Sequence, residues 1–318
     1  MKTVLITGCA GFIGANFSEY YLTHHPDTRV VGVDFLTYAA NLTALEELNK
    51  NQRFVFYKAD ICDKEAMGRI FAENRPDTVV NFAAESHVDR SIADSMPFLR
   101  TNIEGVAVLM DACLSYGVKR FHQISTDEVY GDMPTDGDGS FDESSPLRPS
   151  SPYSASKAAA DLLALSYYRT HGLSVTISRS GNNFGKYQHE EKLIPSVIAR
   201  VKRREPIPLY GDGENVRDWL YVVDHCRAID LILEKGKAPE IYNIGGSCLL
   251  SNKALVKKLL TLMGREDHPV VFVTDRKGHD RKYAVDSAKI EAMGFGDRAD
   301  FDTALAETVA CYRSKAQP

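Results

Sequence analysis

A glycine-rich junction between a predicted strand and a predicted helix constrains this chain more than any other feature. Gly8, Gly11 and Gly14 follow a β-branched run at residues 3–7 and open a helical pattern at residues 12–23. Glycines at such a junction allow a tight turn and a close approach of the backbone to a pyrophosphate, to which the helix N-terminus offers unpaired N–H groups. The G-x-x-G-x-x-G spacing could also be a simple turn, but its place between strand and helix favours a dinucleotide cradle.

Short β-branched runs alternate with helix-length segments through the first 180 residues. The predicted strands are residues 3–7, 29–34, 53–58, 78–81, 119–125 and 174–180. The helix-length segments include residues 12–23, 63–73, 97–116 and 152–171. This rhythm predicts right-handed strand–helix–strand crossovers, and therefore an α/β fold with a doubly wound parallel (Rossmann) sheet.

The pattern changes after residue 182. Helices are predicted at residues 195–204 and 251–263, and residues 132–151 form the longest loop, a candidate cover for a functional site. We therefore expect a dinucleotide-binding domain over residues 1–181. Residues 182–318 are expected to form mainly a smaller substrate-binding lobe, with some segments returning to the sheet.

The charge balance and the cysteine pattern exclude several classes of protein. Lys and Arg total 38 against 43 Asp and Glu, and this mild acidity gives little drive for binding to the phosphate backbone of nucleic acids. No stretch of about 18 uncharged apolar residues predicts a membrane span. The six cysteines contain no C-x-x-C pair, which argues against a zinc ribbon and fits a reducing cytoplasm. We expect no metal site.

An acidic residue ends the second predicted strand, twenty residues after Gly14. Asp34 at this position can accept a hydrogen bond from a ribose 2′-hydroxyl and would repel a 2′-phosphate, which predicts NAD rather than NADP. The alternative is that Asp34 caps the next helix. By the same geometry, Asp60 and Ile61 after the third strand are expected near the adenine.

Tyr153 and Lys157 lie four residues apart on a predicted helix, so their side chains face the same way. A nearby ammonium group favours the phenolate and is expected to lower the pKa of the phenol, together with a positive nicotinamide, toward a useful base. The alternative is a surface pair on a helix. After a dinucleotide cradle, the catalytic interpretation is favoured.

Residues 125–131 end the fifth predicted strand with a hydroxyl and two adjacent carboxyl groups, Thr126, Asp127 and Glu128. The carboxyl ends of parallel strands line the ligand crevice of such a sheet. Ser125 and Glu128 have the spacing of a helix capping box, which is the alternative interpretation. In combination with Tyr153, the carboxyl pair predicts acid–base chemistry in addition to hydride transfer.

These motifs, with residues 34–38 and 83–91, resemble the extended short-chain dehydrogenases/reductases, and within them the dTDP-glucose 4,6-dehydratases. The resemblance implies that Tyr153, helped by Lys157, removes the 4-hydroxyl proton while hydride passes from carbon 4 to NAD⁺. It implies that Glu128 then takes the carbon 5 proton, while Asp127 protonates the departing 6-hydroxyl. Thr126 would hydrogen-bond the 4-oxygen, the hydride would return to carbon 6, and carbon 5 would be reprotonated.

The resemblance also implies the binding positions. The implied cofactor contacts are Gly8, Gly11, Phe12, Ile13, Gly14, Asp34, Phe35, Leu36, Thr37, Asp60, Ile61, Ala83, Ala84, Ser86, Thr101, Tyr153, Lys157 and Asn183. The implied contacts to the nucleotide sugar are His87, Thr126, Asn182, Lys192, Leu193, Pro208, Tyr210, Arg217, Asn252, Arg276 and His279. Arg217 and Arg276 suit a pyrophosphate because guanidinium groups match phosphate oxygens. Without the resemblance, His87 would be interpreted as a core histidine.

Three rival functions are left open, and a homodimer is expected. The rivals are a related NAD-dependent 4-epimerase or decarboxylase, a non-catalytic dinucleotide-binding regulator, and an ordinary alcohol dehydrogenase. A homodimer is implied by the resemblance, because predicted helices 97–116 and 152–171 carry more apolar residues than one sheet face needs. These residues are Val106, Leu109, Leu162, Leu163 and Leu165.

Overall fold

A central sheet of seven parallel strands organises the computed structural model, which describes residues 1–134, 139–246 and 248–314. The strands of the described residues are β1 (Lys2–Thr7), β2 (Thr28–Asp34), β3 (Phe54–Lys58), β4 (Thr78–Asn81), β5 (Arg120–Thr126), β6 (Val175–Ser180), β7 (Asn182–Phe184), β8 (Ile207–Tyr210), β9 (Val216–Tyr221), β10 (Ile241–Ile244), β11 (Leu249–Ser251) and β12 (Val270–Val273). The order in the main sheet is β10-β6-β5-β4-β1-β2-β3. The α/β fold with a doubly wound parallel sheet is confirmed, and the six predicted strands are each correct to within one residue at either end.

Helices cover both faces of this sheet. The α-helices of the described residues are α1 (Phe12–His24), α2 (Leu42–Asn49), α3 (Lys64–Asn74), α4 (Val88–Ala93), α5 (Met96–Leu99), α6 (Gly105–Tyr116), α7 (Pro152–His171), α8 (Leu193–Arg203), α9 (Val222–Lys235), α10 (Asn252–Met263), α11 (Ala288–Glu291) and α12 (Phe301–Ser314). Apolar residues of α3, α6 and α7 pack on one face, and those of α1, α2 and α9 pack on the other. Both faces of the strands are therefore buried, as their β-branched runs require.

The predicted helix over residues 97–116 is helical throughout, but a π-helical turn at Arg100–Glu104, which the sequence pattern does not predict, lies between α5 and α6. Asn102 in this turn is buried, and its amide bonds the backbone N–H and carbonyl of Glu85 and the hydroxyl of Ser156. Such turns recur at functional sites. Here the turn ties the loop after β4 to α7.

Later parts of the chain return to the main sheet. β10 pairs in parallel with β6, and α9 packs against the α1 side of the sheet through Val222, Cys226, Ile229 and Leu233. A second core lies between α8, α10, α12 and the small sheets β11-β9-β7 and β12-β8. The division of the chain at residue 181 stays a prediction.

Two further expectations concern the apolar residues of the predicted helices and the predicted cover loop. Val106 and Leu109 are 1% and 0% exposed and belong to the core beneath the sheet, so they are not spare surface, whereas Leu162 is 58% exposed. Of the predicted cover at residues 132–151, residues 135–138 lie outside the described residues. Across the described ranges, no helix is long and apolar enough to cross a membrane.

Candidate functional site

Two adjoining cavities open at the carboxyl ends of the main-sheet strands. The first has a volume of about 260 Å³ and the second about 520 Å³. They share the residues Gly8, Gly11, Ala39, Phe82 and Ala84. The carboxyl edge of a parallel sheet is the usual ligand site of this architecture, and the two cavities together form one continuous candidate site.

The glycine turn after β1 leaves room that larger residues would fill. Gly8 has φ +64°, and a Cβ there would lie 2.7 Å from the backbone nitrogen of Ala83. A Cβ at Gly14 would collide with the carbonyl oxygen of Gly8, and the N–H of Gly11 donates to the same oxygen at 3.0 Å. The turn therefore packs α1 closely against the sheet and leaves the backbone open to the cavities, as a dinucleotide pyrophosphate requires.

Asp34 ties this turn to the end of β2. Its Oδ2 accepts from the N–H of Ala10 at 2.9 Å, and its Oδ1 accepts from the N–H of Leu36 at 2.8 Å. Burial raises the pKa of Asp34, and these backbone donors oppose the rise. The alternative that Asp34 caps a helix is wrong, since Asn41 caps α2. Carboxylate oxygens each have two lone pairs, so Asp34 keeps acceptor capacity for a ribose hydroxyl.

Most of the predicted cofactor positions line one of the two cavities. Those on the second cavity are Gly8, Gly11, Asp34, Phe35, Thr37, Asp60, Ile61, Ala83, Ala84 and Thr101. Those on the first cavity are Phe12, Ile13, Gly14, Ser86, Tyr153, Lys157 and Asn183. The side chain of Leu36 packs instead against the hydrophobic cluster beneath α1. The cavities thus fit a dinucleotide, and the individual contacts stay predictions.

Thr126 places the carboxyl pair at the end of β5. It caps a 3-10 turn at Asp127–Tyr130, because its Oγ1 accepts from the N–H of Glu128 at 3.3 Å. The same hydroxyl donates to Oδ1 of Asp127 at 3.2 Å. Oδ2 of Asp127 is buried and has no hydrogen-bond partner within the described part of the chain. This oxygen is therefore available to a ligand in the first cavity, which Asp127 and Glu128 line.

The capping-box alternative for this segment is wrong. The residue that caps the turn is Thr126, one position later than the alternative required. Ser125 donates instead to Oδ2 of Asp161 at 3.0 Å, and Arg179 donates to the same oxygen at 2.9 Å. This buried ion pair anchors the end of β5 to α7 and β6.

The two neighbouring carboxyl groups experience different surroundings. Burial raises the pKa of Asp127 well above its ordinary value, the charges of Glu128 and Asp218 raise it further, and Arg217 and Thr126 oppose the rise. Burial also raises the pKa of Glu128, but the cations of Arg276, Arg217 and Lys192 oppose that rise. Asp127 is therefore the better proton donor and Glu128 the better acceptor.

Tyr153 and Lys157 lie on the first turns of α7, which begins with a capping box between Ser151 and Ser154. Burial raises the pKa of Tyr153, and Glu128 and Asp127 raise it further, while the side chain of Thr126 opposes the rise. The expectation that the pKa of this phenol is lowered is therefore wrong for the chain itself. Its contacts still place the hydroxyl beside Thr126 and the carboxyl pair.

Lys157 holds the end of β5 rather than the phenol. Its Nζ donates to the carbonyl of Ile124 at 2.6 Å. Burial lowers the pKa of Lys157 to about 8, and the charge of Asp161 opposes the fall. The lysine thereby fixes α7 against the strand that carries the acid pair, and it remains protonated near neutral pH.

The cationic residues predicted to bind the substrate surround Glu128, but they differ in how many hydrogen bonds they already make within the protein. Lys192 lines the first cavity, and its Nζ donates to the carbonyl of Ser86 at 3.1 Å. Arg217 donates to the carbonyls of Val216 at 2.8 Å and Asp280 at 2.9 Å. Nη1 of Arg276 lies 3.9 Å from a carboxylate of Asp89, and its buried Nε has no hydrogen-bond partner in the described ranges. Arg276 is therefore freer than Arg217 to bind an anion.

His87 and Tyr210 take part in polar contacts rather than in the core. His87 caps α4 and lies 3.7 Å from a carboxylate oxygen of Glu191, so the core-histidine alternative is wrong. The hydroxyl of Tyr210 donates to Asp89 at 3.2 Å, which brings β8 to the end of α4.

The remaining predicted substrate positions are distributed unevenly. Asn182 lines the first cavity, and Nδ1 of His279 lies 2.6 Å from Asp275. Leu193 packs against the second core, Asn252 is the first residue of α10, and Pro208 is exposed on β8. The roles of all these residues in binding stay predictions.

Three residues in one wall of the first cavity are not predicted from the sequence. Gln188, His189 and Glu191 line it beside Lys192. The signal was available, since these polar residues directly precede a lysine that the resemblance singles out. Their orientation depends on the loop backbone, which no sequence pattern specifies.

Comparison with known proteins gives consistent matches over nearly the whole chain. The family model described as GDP-mannose 4,6 dehydratase matches residues 5–308. A dTDP-glucose 4,6-dehydratase of an Actinoplanes strain is 47% identical over 317 residues, covering 98% of both chains. The solved structure of a dTDP-glucose 4,6-dehydratase from Streptomyces venezuelae with NAD bound has a TM-score of 0.94 at 46% identity, covering 98% of this chain and 97% of that one. A UDP-glucose 4-epimerase from Thermotoga maritima has a TM-score of 0.90 at 32% identity, covering 98% of both chains.

Proposed function

Since this chain belongs to the GDP-mannose 4,6-dehydratase family, we propose that it is an NAD-dependent nucleotide-sugar 4,6-dehydratase acting on dTDP-glucose. Its products are dTDP-4-keto-6-deoxyglucose and water. The observation that carries the proposal is the pair Asp127 and Glu128, which shares a cavity with Tyr153 next to the glycine cradle. The fold alone does not distinguish a dehydratase from an epimerase, because both share it.

The hydride chemistry belongs to the cofactor, and the chain supplies the proton chemistry. NAD, which the glycine turn and Asp34 would hold, would supply the hydride transfer from carbon 4 of the sugar and back to carbon 6. Tyr153 removes the proton of the 4-hydroxyl. The side chain of Thr126, which opposes the rise in the pKa of Tyr153, also hydrogen-bonds the 4-oxygen. Lys157 orients these groups by joining α7 to Ile124.

Elimination of water needs one base and one acid on neighbouring carbons. A 4-ketone acidifies the proton on carbon 5, which Glu128 takes and returns to carbon 5 when hydride reaches carbon 6. Asp127, whose pKa burial raises well above the ordinary value, protonates the departing 6-hydroxyl. The two residues act in turn because their surroundings separate their pKa values.

Two assays test this function. The protein is incubated separately with dTDP-, UDP- and CDP-glucose, and we expect loss of one water from the dTDP sugar by mass spectrometry. Deuterium placed at carbon 4 should appear at carbon 6 of the same sugar. Epimerisation without loss of water, steady accumulation of NADH with an added alcohol, or no reaction with any sugar would contradict the proposal.

We propose further that the protein is a cytoplasmic homodimer whose product enters deoxysugar biosynthesis. The exposed Leu162 on α7 supports the dimer, since large exposed apolar side chains often mark an interface. The free thiols Cys9, Cys62, Cys113, Cys226 and Cys248 support a reducing compartment.

A further inference from the structure

The loop between β7 and α8, residues 185–192, forms one wall of the first cavity. Gln188, His189, Glu191 and Lys192 contribute to this wall. The loop begins in an unusual conformation, since Gly185 has φ +150° and a Cβ there would collide with Val222. Two residues later, Tyr187 has φ +71°, which is uncommon for a residue other than glycine and persists only when the surroundings enforce it.

Side chains from three other elements hold the carbonyls of this loop. Nδ2 of Asn16, on the helix that follows the glycine turn, donates to Lys186 at 2.9 Å. Asn41, the cap of α2, donates to Tyr187 at 3.4 Å. The hydroxyl of Tyr312, on α12, lies 2.7 Å from the carbonyl oxygen of Gln188 and 3.2 Å from that of Gly185. Tyr312 therefore reaches both ends of the turn.

The position of α12 does not depend on this hydroxyl. The ring of Tyr312 packs against the second core, together with buried Leu305 and Val309 of the same helix. Another tyrosine, Tyr221, donates its hydroxyl to Glu307 of α12 at 3.2 Å. The hydroxyl of Tyr312 is thus available to act on the loop, while other contacts keep the helix in place.

We infer that Tyr312 is a positioning residue for the nucleotide sugar, because its hydroxyl holds the carbonyls of Gly185 and Gln188 and so orients the loop that carries Glu191 and Lys192 into the cavity. The inference rests on the proposed function for the identity of the ligand. Tyr312 lines neither cavity, and it acts through the loop backbone.

Replacing Tyr312 by Phe keeps the packed ring and removes only the hydroxyl. We expect KM for dTDP-glucose to rise about tenfold. Two loop carbonyls lose the hydroxyl that they share as a donor, and ordering the loop when the substrate binds then costs binding free energy. We expect kcat to change by less than about twofold, because Asp127, Glu128 and Tyr153 lie on other elements. Tyr221→Phe is the matched control, because it keeps the ring and removes a hydroxyl that donates to Glu307 of α12 instead of to a carbonyl of the loop.

Amide hydrogen exchange provides a readout that does not need a substrate. Exchange in the peptide covering residues 185–192 should be faster in Tyr312→Phe than in the wild type, and unchanged in Tyr221→Phe. Unchanged exchange in Tyr312→Phe, or an equal rise of KM in both variants, would overturn the inference. A wild-type protein that dehydrates no nucleotide sugar would refute the proposed function alone, and the exchange comparison would still decide the role of Tyr312.

Discussion

At the scale of single residues, adjacent carboxyl groups acquire different properties from their surroundings. Asp127 faces two other carboxylates and one cation and has one buried oxygen without a described partner, whereas Glu128 faces three cations and one carboxylate. The local sequence predicts the presence of this pair, but not which member holds its proton. That difference comes from Asp218 beside Asp127 and from Arg276 and Lys192 beside Glu128, which lie far away along the chain.

Replacing Asp127 by Asn should block dehydration while leaving oxidation at carbon 4 intact. The amide keeps the shape of the side chain but cannot donate the proton that the departing hydroxyl needs. We expect formation of the dehydrated product to fall by about 10²–10⁴-fold. Reduced nicotinamide should accumulate on the enzyme and be visible by its absorbance. Equal losses in both half-reactions would contradict the assignment of Asp127 as the acid.

Oxidation at carbon 4 should decline above about pH 8. Burial lowers the pKa of Lys157 to about 8, so the ammonium group loses its proton as the pH rises through that value. The neutral amine donates a weaker hydrogen bond to the carbonyl of Ile124 and holds α7 and the end of β5 together less firmly, so the rate falls on the alkaline side. The profile is measured for cofactor reduction in Asp127→Asn, where titration of that acid is removed. A rate that stays constant up to the ordinary pKa of lysine, about 10.4, would contradict this role.

At the scale of elements, the sequence predicts what depends on local pattern and misses what depends on distant contacts. The six strands were placed to within one residue because β-branched runs bounded by turns are a strong local signal. The π-helical turn at Arg100–Glu104 is not predicted by the sequence, because Asn102 in this turn bonds Glu85 and Ser156, which lie far away along the chain. The bond from Ala10 to Asp34 was missed for the same reason.

The glycine turn gives a prediction for its helix. Gly14→Ala should weaken NAD binding about tenfold or more, because the new Cβ collides with the carbonyl of Gly8 and must displace α1 or the turn. Gly68→Ala in α3 is the matched control. A Cβ there meets only the hydroxyl of Tyr116 at 3.6 Å, so we expect a gain in stability of up to about 1 kcal/mol. Titration with NAD and thermal unfolding separate the two effects, and equal NAD affinity in both variants would contradict the collision argument.

At the scale of the whole molecule, the exposed Leu162 of α7 gives a prediction about how two subunits associate. Replacing Leu162 by Glu adds a charge to a side chain that is 58% exposed. We expect the proposed dimer to dissociate, because an interface core tolerates charge poorly, while the fold of each subunit is unchanged. Light scattering measures the mass and circular dichroism the fold. Leu249→Glu, at a site that is 49% exposed and distant from α7 in the chain, should leave the mass unchanged, and a dimeric Leu162→Glu would refute this interface.

The pairing of β10 with β6 has a consequence for biosynthesis. A nascent chain leaves the ribosome at about 5–20 residues per second, so the first six strands emerge well before Ile241–Ile244. During that interval β6 has an open edge, on which another unfinished polypeptide can pair. Chaperones that shield unpaired strands should therefore matter most between translation of Ser180 and translation of Ile244.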